Sequence, residues 1–248
     1  MLLKVDGVCK SYKKGSWFSS ARQQVLYDIS FKWKTGECLG IIGESGSGKS
    51  TLGRLLLGLE KTDRGSIMLD GKSVSEYRSR SGGISAVFQD YTSSINPFYT
   101  VEQAMLEPLM LAREKAELRK SKIEHLLVQV GLDATYLPKY PHELSGGEAQ
   151  RVCIARALST EPACIVLDEA ISSLDGSVQV QVLELLKSLR VTHCMGYIFI
   201  THDIQAAAYV CDRIMIVRNG RIEEIVDVDR LGSVQSSYAR ELLRKIMV

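Results

Sequence analysis

Gly43, Glu44, Ser45, Gly46, Ser47, Gly48, Lys49, Ser50 and Thr51 follow the order G-x-x-x-x-G-K-[ST] and continue into a second hydroxyl residue. In a turn between a strand and a helix, such glycines let the backbone wrap closely, so that successive N–H groups point at phosphate oxygens. Lys49 then reaches the β- and γ-phosphates as a compact positive charge, and the Ser50 hydroxyl ligates Mg2+. The plain alternative is a glycine-rich turn that happens to precede a lysine. A second group is Asp168 and Glu169, which end the apolar run Cys164–Leu167. A carboxylate at a strand's carboxyl end can hold Mg2+, directly or through water, and its neighbour can polarise a water for attack on a γ-phosphate. Alone, the pair reads equally as solvated acids at a strand end. Gln89 after the Ile84–Phe88 strand and His202 after the Tyr197–Thr201 strand would emerge at the same sheet edge. There Gln89 is a candidate for Mg2+ or the lytic water, and His202 for the γ-phosphate; each alone also reads as a surface polar residue.

The run Leu144, Ser145, Gly146, Gly147, Glu148 contains an S-x-x-E capping box ahead of Val152–Leu158. A helix start satisfies that pattern by itself. Yet a helix N-terminus carrying two glycines is also a phosphate-binding edge. One chain thus offers two phosphate-binding helix starts.

The elements that must position these groups are legible from periodicity. Val25–Trp33 alternates apolar and polar residues, as a half-buried strand does. Cys38–Ile42 reads as a short strand before the glycine turn, Lys49–Leu59 as a helix, and Ser66–Asp70 as a further strand. A polar insertion with Trp17 and Phe18 spans Lys13–Gln24. From about Tyr91 to Gly147 strand signals give way to helical spacing. Ile123, Leu126, Leu127 and Val130 share one face, and Gly131 is placed to end the helix. Strand–helix alternation then returns through Cys164–Asp168, Gly176–Arg190, Tyr197–Thr201 and Asp203–Val210. Such alternation predicts a parallel sheet covered by helices, with an inserted helical lobe. Asn219-Gly220 between two apolar runs predicts a hairpin turn, and Ser236–Met247 a closing helix.

Composition bounds the function classes. With 248 residues, 45% hydrophobic and 24% charged, the chain reads as a soluble globular protein of one large domain, or of a domain with a smaller lobe. A net charge of +2 points to no polyelectrolyte partner, and hence no nucleic acid. The apolar runs fall far short of the roughly 18 residues that span a bilayer, and Lys4, Asp6 and Lys10 interrupt the first ten residues, so no secretory signal is read. Six cysteines without a C-x-x-C pair read as reduced, mostly buried thiols. His125 and His142 read as polar positions of the helical lobe.

Taken in order, Gly43–Ser50, Gln89, Leu144–Glu148, Asp168-Glu169, Ser173-Leu174-Asp175 and His202 resemble the ATP-binding subunits of ABC transporters over essentially the whole chain. The resemblance implies an α/β fold: a P-loop NTPase (RecA-like) core at 37–90 and 148–248, an N-terminal antiparallel β subdomain at 1–36, and an inserted α-helical subdomain at 91–147. It implies ATP and Mg2+, with adenine stacked on Tyr12. The loop residues Gly43 to Thr51 would hold the phosphates, and Ser50, Gln89 and Asp168 the metal. Glu169 would be the general base, Gln89 and His202 would assist, and Asp175 would communicate across a dimer. Ser145, Gly146 and Gly147 would contact ATP held mainly by a partner subunit.

A finer resemblance is to importers of the peptide/nickel/opine type, carried by Val87–Pro97, Thr100–Glu102, Glu107–Leu109 and Tyr238–Leu243. Leu144–Leu158 is most similar to the nickel and metal–metallophore members. This implies a second homologous ATPase subunit in a heterodimer, two transmembrane permease subunits, an extracellular solute-binding protein, and a place at the cytoplasmic face of the membrane. The aromatic and apolar groups Tyr91, Ile95, Pro97, Phe98 and Tyr99 are the candidate surface for a permease. Ala170 and Ser173 depart from the family's common proline and alanine without removing a functional group. A soluble ABC-type ATPase uncoupled from transport carries the same motifs and is the alternative.

Overall fold

The computed structural model describes residues 1–13, 21–74, 83–89 and 94–244. Tyr91, Trp17 and Phe18 lie outside these residues, as does the last part of the expected closing helix. The chain opens with β1 (Leu2–Lys13) and β2 (Arg22–Lys34), followed by β3 (Cys38–Ile42) and α1 (Lys49–Leu56). Then come β4 (Arg64–Leu69), β5 (Lys72–Ser73) and β6 (Ile84–Phe88). Three helices follow: α2 (Val101–Leu111), α3 (Ala116–Gln129) and α4 (Gly146–Leu158). The remainder alternates β7 (Cys164–Asp168), α5 (Gly176–Thr192), β8 (Gly196–Thr201), α6 (Ile204–Val210), β9 (Arg213–Arg218), β10 (Arg221–Asp227) and α7 (Ser237–Arg244).

Two sheets form. The larger has the order β10-β9-β3-β8-β7-β6, parallel except for β10, and the smaller is antiparallel with the order β2-β1-β4-β5. The period of two explains why the central strands are apolar throughout: each face of the larger sheet meets a different layer. Leu39, Ile41, Val166, Ile198, Ile200, Met215 and Val217 pack with α1 and the antiparallel sheet. Their alternates Ile42, Ile165, Leu167, Tyr197, Phe199, Ile214 and Ile216 pack against the remaining helices.

Three expectations change. Residues 37–90 do not all join the core, because β4 and β5 pair with β1 and extend the antiparallel sheet expected at 1–36. The polar residues at the ends of the expected insertion form a ladder, with Ser11, Tyr12 and Lys13 opposite Gln24, Gln23 and Arg22. A solvent-facing ladder has no apolar alternation to reveal it. Ile95, expected on a docking surface, is buried in the helical-side core. Among the described residues no helix is long and apolar enough to cross a membrane, and all six cysteines are unbridged.

Candidate active site

Parallel register brings the expected residues to one edge. Ile42 lies opposite Thr201, Asp168 opposite Ile200, and Phe88 opposite Asp168. The residues that follow these strand ends therefore meet around the Gly43–Gly48 loop. The loop is tightly constrained. A Cβ at Gly43 would stand 2.1 Å from the Val217 carbonyl oxygen, and Gly48, with φ +103°, holds a backbone that favours glycine. Gly220 N–H donates to Ser47 O at 3.0 Å, so the Asn219-Gly220 hairpin braces the loop.

Lys49 is buried, and its ammonium donates to the carbonyls of Gly43 at 2.7 Å and Glu44 at 3.1 Å. Burial lowers its pKa, against the pull of Glu169 and Asp168, which raise it. Ser50 Oγ donates to Asp168 Oδ1 at 3.2 Å. Burial in turn raises the Asp168 carboxyl above its ordinary range. Glu169 sits at φ +52°, its N–H donating to Ile200 O. This places its carboxylate against His202, whose Nδ1–H donates to Oε2 at 2.8 Å. Lys49, Ser50, Thr51, Gln89, Glu169 and His202 line one cleft of about 550 Å³, with Ser45, Gly46, Gly48 and Val25.

The residues fit the groups expected of them. Ser47 Oγ is buried in the loop with no partner among the described residues, as a donor kept for a phosphate would be. Ser50, Asp168 and Gln89 each offer a side-chain oxygen suited to a hard divalent cation.

Five expected residues lie outside this cleft, in two places. Tyr12 is not in the lining of this cleft. Its hydroxyl donates to Glu60 Oε2 at 2.6 Å, a carboxylate that also takes Arg54 Nε at 2.7 Å and Lys10 Nζ at 3.2 Å. Ser145, Gly146, Gly147 and Asp175 line a separate cleft of about 540 Å³ that shares no lining residue with the first. Ser145 caps α4 through a complete capping box with Glu148. Asp175 caps α5 through its carbonyl, which accepts from Val178 and Gln179 N–H at 2.9 Å. Gln179 Nε2 donates to Ile171 O and Leu174 O, fixing the turn before Asp175. Arg151 ties the helices behind this edge together, donating to Val130 O at 2.8 Å and Gln181 Oε1 at 3.1 Å. Residues that sequence spacing does not reveal are Glu60, Gln179 and Tyr136, because each acts through contacts that no periodic rule links.

A lysine-bearing glycine loop, a half-buried carboxylate touching its serine and a carboxylate–histidine pair at the same edge of a parallel sheet define a P-loop NTPase. The family model described as ABC transporter matches residues 26–172. The chain belongs to the ABC transporter family. It is 46% identical over 245 residues to the "Metal-staphylopine import system ATP-binding protein CntF" of Staphylococcus aureus, covering 98% of both chains. It is 39% identical to the "Nickel import ATP-binding protein NikE" of Rhodospirillum rubrum, covering 99% of this chain and 91% of that one. A solved dimeric ATP-binding cassette in a post-hydrolysis state, bound to ADP and Pi, superposes with a TM-score of 0.80 at 28% identity, covering 91% of this chain and 98% of the other.

Proposed function

We propose that this chain is the ATP-binding and ATP-hydrolysing subunit of an importer, with a nickel or metal–metallophore cargo favoured over a peptide. The observation that carries the reading is the convergence of Lys49, the Ser50–Asp168 pair and the Glu169–His202 pair on one cleft. Lys49 holds the β- and γ-phosphates. Ser50, Asp168 and Gln89 hold Mg2+, which when bound neutralises phosphate charge. Glu169 takes a proton from the attacking water, and His202, hydrogen-bonded to it, keeps the carboxylate oriented and faces the γ-phosphate. Tyr12 serves as the adenine platform, tethered by Glu60. The names of the relatives support the importer class and the cargo preference.

The Ser145–Gly147 edge serves ATP bound by a second, homologous ATPase subunit, with Asp175 at the same interface. The separation of the two clefts supports this, because no residue lines both. Two permease subunits carry the cargo across the membrane and an extracellular binding protein delivers it, which puts this chain at the membrane's cytoplasmic face. Phe98, 84% exposed, with Tyr99 beside it, suits a permease contact. We also propose a three-part organisation: the antiparallel sheet with β4 and β5, the core, and the helical lobe between β6 and α4.

The test compares Lys49→Ala and Glu169→Gln. Lys49→Ala weakens ATP binding. Glu169→Gln keeps binding and lowers turnover by about 10²–10⁴-fold, the range for a lost general base. Turnover at the unmodified rate in Glu169→Gln assigns the base elsewhere.

A further inference from the structure

Glu148 is committed on both carboxylate oxygens. Oε2 accepts from the Ser145 N–H and the Ser145 hydroxyl, both at 2.7 Å. Oε1 accepts from the Tyr136 hydroxyl at 2.6 Å. A capping box accounts for the Ser145 N–H contact to Oε2 and needs no tyrosine. Tyr136 comes from outside the helix, from the single turn Ala134–Tyr136, which Asp133 caps by accepting from Thr135 N–H at 2.8 Å. Lys139 Nζ lies 3.8 Å from the centroid of its ring. These donors hold the Glu148 carboxyl at about 2, far below its ordinary range, with the Tyr136 hydroxyl the largest cause. Tyr136, Ser145, Gly147 and Glu148 line the same cleft.

This arrangement contains a conflict. If Ser145 and Gly147 receive a triphosphate, a charged carboxylate stands at the receiving edge, and like charges repel. The Ser145 hydroxyl also points its proton at that carboxylate, so it must turn to reach a phosphate. We infer that Tyr136 is a positioning residue, holding Glu148 on the helix-capping side so that the Ser145 hydroxyl can turn to an incoming phosphate without the carboxylate following it. The inference rests on the reading of Ser145–Gly147 as a phosphate edge. As the hydroxyl turns, Glu148 keeps the Ser145 N–H on Oε2 and the Tyr136 hydroxyl on Oε1. The carboxylate therefore stays paired, and the helix start stays capped.

The test is the ATP dependence of hydrolysis by the assembled transporter: this chain with its paired ATPase and the permease subunits. Tyr136→Phe should raise KM for ATP by about tenfold, the scale of one hydrogen bond to a charged group, with kcat within about twofold. Glu148→Gln carries no charge to restrain, so adding Tyr136→Phe to it should leave KM where Glu148→Gln alone puts it. An unchanged KM in Tyr136→Phe overturns the inference. So does a tenfold rise that persists in the Glu148→Gln background, which would mark a structural role for the ring. Ser145→Ala separates the two readings. If it leaves KM unchanged, the phosphate edge itself is wrong. If it raises KM while Tyr136→Phe does not, only the role of Tyr136 fails.

Discussion

Gly147 offers a sharp probe of how α4 is seated. It is the second residue of the helix, and a Cβ added there would stand 2.6 Å from Val178 Cγ1. Val178 lies in the first turn of α5, partly buried and packed on the helical-side core. A helical valine is confined largely to one χ1 rotamer, so its methyl cannot swing away cheaply. In Gly147→Ala the start of α4 must therefore move off α5. Overpacking of this kind costs about 1–3 kcal/mol, and the better helix propensity of alanine returns up to about 1 kcal/mol. A net loss near 1 kcal/mol lowers Tm by about 2–4 °C in a chain of this size. Activity should suffer more, because a shift of about 1 Å in a positioning element can cost about 10²-fold. ATP binding by the isolated chain should be unchanged, since Lys49 and Ser50 lie in the other cleft. The assays are thermal unfolding, nucleotide binding by the chain alone, and turnover by the assembled complex. In a Val178→Ala background the clash is absent, so the same glycine substitution should be neutral or stabilising. Unmodified Tm and turnover in Gly147→Ala would refute the tight contact. An equal penalty in the Val178→Ala background would place its cause elsewhere.

Other outcomes follow from the same geometry. Glu148 is held near 2 in the folded chain against an ordinary 4.5, so its stabilisation is complete above about pH 4.5 and is lost as pH falls towards 2. Allowing for solvent screening, the native chain should lose about 1 kcal/mol more than Glu148→Gln across that window, read as Tm against pH; parallel losses would contradict it. Phe98→Ala with Tyr99→Ala should leave Tm and nucleotide binding within error, since both rings are exposed, while weakening assembly with the permease subunits in a pull-down. Normal assembly would move that contact elsewhere.

Much of the fold was legible because burial on both faces forces continuous apolar strands. Cys38–Ile42 and Cys164–Asp168 match the observed β3 and β7 to the residue. The Ser145–Glu148 box also announced α4 directly. What stayed hidden depends on partners distant in sequence. Ser66–Leu69 has the same local pattern whether it joins the core or β1, and only the pairing of Val5 with Ile67 decides it. Ile95 reads as exposed because its neighbours Asn96, Pro97 and Phe98 form a loop, yet it packs inward. Tyr12 has the residue type expected of an adenine platform, but it lies outside the cleft lining, and the Glu60 carboxylate that takes its hydroxyl is 48 residues away. Tyr136 acts across the gap to Glu148, where no helical spacing connects them.

Whether the phosphate loop of this chain powers import is read from uptake of radiolabelled nickel or nickel–metallophore complex into vesicles carrying the complete transporter, with ATP on the side of this chain. The expected result is ATP-dependent accumulation with the native chain, and none with Lys49→Ala, although the Lys49→Ala complex assembles to the same extent. Accumulation at the native rate by an assembled Lys49→Ala transporter would show that this loop does not power import.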